Sequence, residues 1–318
     1  MLISILMPVH GSAPYLEESI ASILNQDLSD WELIIVLDRP TPNLIRITDQ
    51  IAISDNRIQN VVSTGSGIVD ALNFGLKLAN ADLIARLDSD DLMEPGRLSI
   101  QASCFLGSPQ LACLGTQMSF IDEAGNFFGS TNYPVKHTEI QKRLRYQNCI
   151  GHPSVMYRKK DIIKIGGYRK ALTGVEDYDL WLRLSKNYQI ENLDQRLTRY
   201  RVSPSQYSKT FGNNYTVLEE SARLDSIINF IDSTPIDHQT IEFMKSEISR
   251  IRKSHFLLNP IMIISSYQGF FVSRIIRIIG SRDVKFLKLL KCLPFGVPLF
   301  LIAPNSILGL IRQKMKRR

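Results

Sequence analysis

The chain has 318 residues, of which 44% are hydrophobic and 22% charged, a balance that suits one large globular domain with an appendage. Its four cysteines, Cys104, Cys113, Cys149 and Cys292, form no CxxC pair and have no His partner at zinc spacing. That excludes a disulfide framework or zinc finger and reads as reduced, mostly buried thiols in a cytosolic protein. The net charge of +7 is uneven: residues 255–318 hold eleven Lys/Arg against one acid, Asp283, so the tail carries +10 and the body −3. No basic patch marks the body, which argues against nucleic acid as the main ligand.

Leu2 to Val9 reads as a first strand, with Pro8 near its end and no basic segment ahead of it that would make a signal peptide. His10-Gly11-Ser12-Ala13-Pro14 is a turn, and Pro14 to Asn25 has helical spacing. Trp31 to Leu37 is a continuous apolar run of the kind found in parallel sheets, and it ends at Asp38. A helix over Leu44 to Ile53 leads to a third strand, Ile58 to Val62. Gly65-Ser66-Gly67 then opens a helix to about Asn80, and Leu83 to Leu87 is a fourth strand. Strands alternating with helices define a doubly wound α/β unit. Beyond it the pattern gives a helix from Pro95 to Leu106, a strand from Leu111 to Ile121 and a turn at Asp122 to Asn126 before Phe127-Phe128. A helix over Thr138 to Tyr146, a turn at Gly151-His152-Pro153 and a strand from Ser154 to Tyr157 follow. After a break at Gly166-Gly167 come a helix opening near Glu176 and a strand within Ile190 to Tyr200.

In open α/β sheets ligands bind beyond the C-terminal strand ends. Here those ends carry Val9-His10, Asp38, Gly65 to Gly67 and Asp88-Ser89-Asp90-Asp91. Carboxylates packed this closely repel one another and are costly to desolvate. A hard divalent cation, Mn²⁺ or Mg²⁺, relieves that cost and leaves coordination positions for water or phosphate. The alternative is a solvated acidic turn capping the next helix. Gly65 and Gly67 lack the third glycine of a dinucleotide fingerprint, which disfavours NAD. Glu176, Asp177 and Asp179 crowd the start of one helix, more acid than a helix N-terminus needs.

These motifs, in this order, resemble bacterial family 2 glycosyltransferases of the GT-A fold, of the type that assembles exopolysaccharide, O-antigen or capsule. The resemblance rests on Ser4 to His10, Leu16 to Gln26, Trp31 to Val36, Ala71-Leu72-Asn73-Phe74-Gly75, Ile84 to Asp91, His152 to Met156 and Glu176 to Arg183. It covers about Met1 to Ser208. It implies a Rossmann-like, mostly parallel sheet with helices on both faces and an inverting transfer from a nucleotide-diphosphate sugar, most commonly a UDP-sugar. The acceptor would be a saccharide or a lipid-linked one. Asp88-Ser89-Asp90 matches the family's DxD motif, with Asp90 the more direct metal ligand, Asp88 toward the ribose or metal waters, and Asp91 supporting. Pro8, Val9 and Asp38 match positions that hold base and ribose, and Arg86 joins them on the donor side. Asp177, in the pair with Glu176, matches the catalytic base. Two departures stand out: Leu37-Asp38-Arg39-Pro40 replaces the usual Asp-Asp-Gly-Ser, and Tyr200-Arg201 lacks the downstream His. Arg201 is therefore expected to meet the diphosphate directly, and His152 is a candidate for phosphate or acceptor contact, or a structural His in a turn.

A nucleotidyltransferase would also use an α/β sheet and acidic metal ligands. It needs a Gly-rich, basic loop after the first strand, which His10-Gly11-Ser12-Ala13 is not. A non-catalytic nucleotide-sugar-binding scaffold is the third reading. The expected domains are a transferase domain over 1–210, a helical appendage over 211–254, divided at Ser233-Thr234-Pro235, and a tail over 255–318. In the tail Arg274, Arg277, Lys285, Lys288 and Lys291 recur at helical spacing beside Phe270, Phe271 and Ile275, but prolines and charges break any clean 20-residue span. That pattern suits an amphipathic segment lying on the inner face of the cell membrane, where anionic lipid adds about 1 kcal/mol per basic residue.

Overall fold

The computed structural model describes residues 2–203 apart from 12 and 146, together with 219 and 222. The expected appendage over 211–254 and the basic tail over 255–318 lie outside the described residues, 219 and 222 excepted. Strands β1 (Ile3–His10), β2 (Trp31–Asp38), β3 (Ile58–Val62) and β4 (Leu83–Arg86) alternate with helices α1 (Leu16–Leu24), α2 (Pro42–Ser54) and α3 (Ile68–Leu78). They pair in parallel in the order β3-β2-β1-β4.

Side-chain parity explains why these strands read as unbroken apolar runs. Ile3, Ile5, Met7 and Val9 of β1, with Leu33, Ile35 and Leu37 of β2 and Leu83 and Ala85 of β4, pack with α1, α2 and α4 (Arg97–Leu106). Leu6, Ile34, Val36 and Ile84 pack on the opposite face with α3 and with α5 (His137–Leu144) and α7 (Glu176–Leu184). A strand covered on both sides has no polar face to alternate. Thr41 caps α2 by accepting from the Leu44 N–H at 3.2 Å.

Beyond β4 the sheet turns mixed. β4 pairs antiparallel with β8 (Met156–Arg158), which pairs antiparallel with β6 (Leu111–Ile121). β6 carries the hairpin strand β7 (Phe127–Ser130) and pairs in parallel with β9 (Gln189–Arg201). Two elements escaped the periodicity: β5 (Leu92–Met93), which pairs antiparallel with β9, and α6 (Lys159–Lys164). Two residues are too few to show a period, yet β5 matters. It joins the chain just past the acids to the far end of the sheet.

Candidate active site

The switch in connection direction falls between β1 and β4. β4 ends at Arg86, opposite Leu6, whereas β1 runs on to His10 beside Asp38 of β2. Doubly wound sheets bind ligands at such a switch point. Pro8 and Val9, near the end of β1, are buried. His10 Nδ1 lies 3.1 Å from Asp38 Oδ2 and from the Asp38 carbonyl oxygen. Asp38 Oδ1 is buried without a hydrogen bond; its nearest charged neighbour is Arg39 Nε at 3.4 Å. A buried acceptor in that condition is a place for a ligand's N–H or O–H.

Arg86 is the centre of the site. It shares parity with Ile84, so it faces the α3–α5–α7 layer, and it is wholly buried. Its Nη1 lies 2.6 Å from Asp88 Oδ1. Its charge also acts on Asp90 and Asp91 beyond β4 and on Glu176 and Asp177 at the start of α7. One buried cation thus lies within reach of both acidic groups, which are about 90 residues apart in sequence. Arg97 of α4 fixes the backbone that holds it. Buried itself, Arg97 donates to the carbonyls of Arg86 (2.8 Å), Pro153 (2.8 Å) and Val155 (3.2 Å). Burial pushes its pKa down to about 9.

The three acids after β4 have different partners. Asp88 pairs with Arg86. Asp90 is half-buried, and burial, then the neighbouring Asp88 charge, pushes its pKa up to about 6. Asp91, expected to support a metal, is instead turned inward. It is fully buried, and Oδ1 accepts from the Arg201 N–H at 2.8 Å. Burial and the adjacent acids raise its pKa well above the usual carboxylate range. Among the described residues no three His, Cys, Asp or Glu side chains converge as a metal-holding group. Asp88 and Asp90 still suit a hard cation that takes its other ligands from water and phosphate. Their mutual repulsion, visible in the raised Asp90, is what such a cation relieves.

Arg201 also departs from expectation. Its guanidinium is buried and committed to the protein: Nε donates to Asp90 O (3.0 Å), Nη1 to Asp122 O (3.2 Å) and Glu123 O (3.1 Å), and Nη2 to Glu18 Oε2 (2.7 Å). It stacks on Tyr15 at 4.2 Å. Arg201 therefore braces the Asp90 main chain against the β6–β7 turn, and direct diphosphate contact is not its place. His152 is buried too. Its Nε2 lies 2.9 Å from Tyr168 Oη, and its ring meets Trp181 edge-on at 6.1 Å. Burial, then the Arg86 charge, depresses its pKa well below the usual imidazole value, so it is a neutral packing residue.

On α7, Glu176 Oε2 accepts from the Gly174 N–H at 2.6 Å, an anchor at the start of the helix, and burial pushes its pKa up to about 7. Asp177 is part-exposed and held at both oxygens: Oδ1 accepts from Tyr178 N (2.7 Å) and Oδ2 from Asn148 Nδ2 (2.8 Å). Asn148 has no freedom to flip, because its Oδ1 accepts from the Ile150 N–H at 3.2 Å. Burial pushes Asp177 up to about 6, against those hydrogen bonds, which favour the charged form. The sequence carried no signal for Asn148. Asp179 is structural: buried, it pairs with Arg169 and with Arg183 (2.8 Å), and Arg183 also holds the carbonyls of Ile165 and Gly167.

Asn148→Ala removes a hydrogen bond that favours the Asp177 carboxylate. The Asp177 pKa is then expected to rise above about 6 by about one unit, read by NMR titration of its carboxyl carbon. A titration in the same place as wild type contradicts the hold of Asn148 on this carboxylate.

A sheet whose first half is parallel, with acids at its switch point and a second acidic group at the start of α7, fits the GT-A class. The chain belongs to glycosyl transferase family 2: the family description "Glycosyl transferase family 2" matches residues 4–166. It is 35% identical over 240 residues to the O-antigen biosynthesis glycosyltransferase WbnJ of Escherichia coli, covering 72% of this chain and 92% of that one. Among solved structures, S. aureus TarS 1-349 in complex with UDP-GlcNAc superposes with TM-score 0.58 at 17% identity, over 80% of this chain and 73% of that one. The chain spans 45% of a longer TarS chain. The mannosyltransferase PcManGT from Pyrobaculum calidifontis, in complex with GDP-Man and Mn2+, gives TM-score 0.54 at 14% identity over 91% and 78%. The GT-A fold and the enzyme class expected from sequence are thereby established.

Proposed function

We propose that this glycosyltransferase moves a sugar, with inversion, from a nucleotide-diphosphate sugar, a UDP-sugar first, to a saccharide or lipid-linked acceptor in cell-surface polysaccharide synthesis. The observation that carries the reading is the reach of Arg86 to both acidic groups, Asp88 to Asp91 and Glu176-Asp177. It supports a single crevice with a donor side and an acceptor side. The similarity to WbnJ supports the polysaccharide context, and the bound UDP-GlcNAc of TarS supports the donor class.

Asp38 takes a donor group of the base or ribose at its vacant Oδ1. Asp90, with Asp88 beside it, holds Mn²⁺ or Mg²⁺, which when bound stabilises charge on the departing diphosphate. Asp177 accepts the acceptor hydroxyl's proton as that oxygen attacks the anomeric carbon and the carbon–oxygen bond to the diphosphate breaks. A pKa of about 6 keeps most of Asp177 ionised at pH 7 while leaving it basic enough to receive a proton. Below about pH 6 the base is protonated and turnover falls. A second carboxylate flanking the bond is the arrangement of hydrolases; inversion by transfer needs one base.

The test is a panel of UDP-, GDP- and dTDP-sugars with Mn²⁺, read by nucleotide release and by thermal stabilisation. One donor is expected to lead in both readouts. No release and no stabilisation with any member contradicts the reading.

The basic tail, by the same proposal, holds the enzyme on the anionic inner face of the membrane. Among the described residues no helix is long and apolar enough to cross a membrane. A chain ending at Ser254 is expected to stay behind when the full chain floats with anionic vesicles; co-flotation of both refutes the tail as anchor.

A further inference from the structure

The loop over 131–136, between β7 and α5, is held as tightly as the site itself. Gln117 of β6 grips Tyr133 by both main-chain groups: Oε1 accepts from Tyr133 N and Nε2 donates to Tyr133 O, each at 2.9 Å. Thr131 Oγ1 donates to the same Oε1 at 2.9 Å and accepts from Met118 N at 2.8 Å. Asn192 of β9 takes the next two residues. Its Nδ2 donates to Pro134 O at 2.8 Å and its N–H to Val135 O at 3.0 Å. Side chains from two sheet strands thus replace a ladder and set the Tyr133 backbone rigidly.

The Tyr133 ring packs on the core that includes Val175, Tyr178 and Trp181, the layer that carries Asp177. The residue remains part-exposed. Among the described residues its hydroxyl has no hydrogen-bond partner, and it is absent from the buried unsatisfied atoms. Burial, then the Asp177 charge, pushes its pKa up to about 12, so the phenol keeps its proton and stays a donor at neutral pH. Geometry ties this loop to Asp177: Asn192 Nδ2, which holds Pro134 O, also donates to Cys149 O at 3.0 Å, and the adjacent Asn148 holds Asp177 Oδ2 at 2.8 Å.

We propose that Tyr133 is a specificity-determining residue of the acceptor subsite: its ring supports the acceptor sugar and its hydroxyl hydrogen-bonds a hydroxyl of that sugar next to the one Asp177 deprotonates. The inference rests on the transfer reading above and names the acceptor side of the same site. A site built to hydrogen-bond a substrate hydroxyl discriminates strongly, because the loss of either partner leaves the other unpaired.

The experiment compares full-length wild type and Tyr133→Phe with the donor panel, first with water as the only acceptor and then with octyl β-glucoside and octyl β-N-acetylglucosaminide as acceptor probes. Acceptor KM is expected to rise about tenfold in Tyr133→Phe, while the calorimetric affinity for the donor nucleotide stays within about twofold of wild type. Tyr133→Ala, which also removes the ring, should raise acceptor KM further. An acceptor KM in Tyr133→Phe within about twofold of wild type overturns the proposal. So does a loss of donor-nucleotide affinity that matches the loss of transfer, since a structural role moves both. Failure of the wild type to release nucleotide from any donor contradicts the transfer reading itself, and the subsite falls with it.

Discussion

Asp177→Asn is expected to lower kcat by about three orders of magnitude while leaving the affinity for the donor nucleotide close to wild type. Asn keeps the shape of the side chain and can still accept from the Tyr178 N–H, but it cannot take a proton. Asn148 Nδ2, fixed toward the Asp177 Oδ2 position by the Ile150 N–H, then faces either an amide oxygen or an amide nitrogen. Either way the helix keeps its other anchors: Glu176 on Gly174 N, and Asp179 between Arg169 and Arg183. The loss should therefore appear in kcat and not in folding, and the acid limb near pH 6 should vanish from what activity remains. Calorimetric titration with nucleotide beside steady-state kinetics makes the comparison. A kcat unchanged in the variant places the base elsewhere.

Asp90→Asn should abolish metal-dependent turnover, a drop of at least about a hundredfold. Of the three acids after β4, Asp88 already has a cation in Arg86 and Asp91 is turned inward onto Arg201 N. Asp90 remains as the half-buried carboxylate whose charge is costly without a counterion, as its rise to about 6 records. Replacing it with a neutral amide removes both the repulsion and the affinity. The variant should be at least as stable as wild type without metal, and it should lose the rise in melting temperature that Mn²⁺ with UDP is expected to give the wild type. Full turnover in Asp90→Asn removes the metal role from this residue.

The first four strands and their order in the chain were legible because burial on both faces leaves a continuous apolar run with turn residues at each end. Trp31 to Leu37 and Ile58 to Val62 differ from the observed strands by a residue at most. Asp38 and the acids at 88–91 were legible for a related reason, as polar residues that end such runs. What the pattern could not carry was pairing at long range. Nothing in the neighbourhood of Arg201 indicates that it will reach Glu18, Asp90 and the turn at Asp122. The two-residue strand β5 makes that meeting possible by joining Met93 to Thr198, and two residues have no period to read. His152 was ambiguous for the same reason: only the fold puts Tyr168 against one side of it and Trp181 against another. Asn148 and Tyr133 belong to no motif at all; their significance comes entirely from what Gln117, Ile150 and Asp177 do around them.

The most direct measurement is diffraction at the manganese edge from crystals of the full chain grown with UDP and Mn²⁺. The anomalous peak should sit on the Asp90 carboxylate, with uracil at Asp38 and the free end of the diphosphate directed toward Asp177. A manganese bound away from Asp90, or a diphosphate pointing out of the crevice on the side opposite Asp177, would show that the two groups of carboxylates do not serve one reaction.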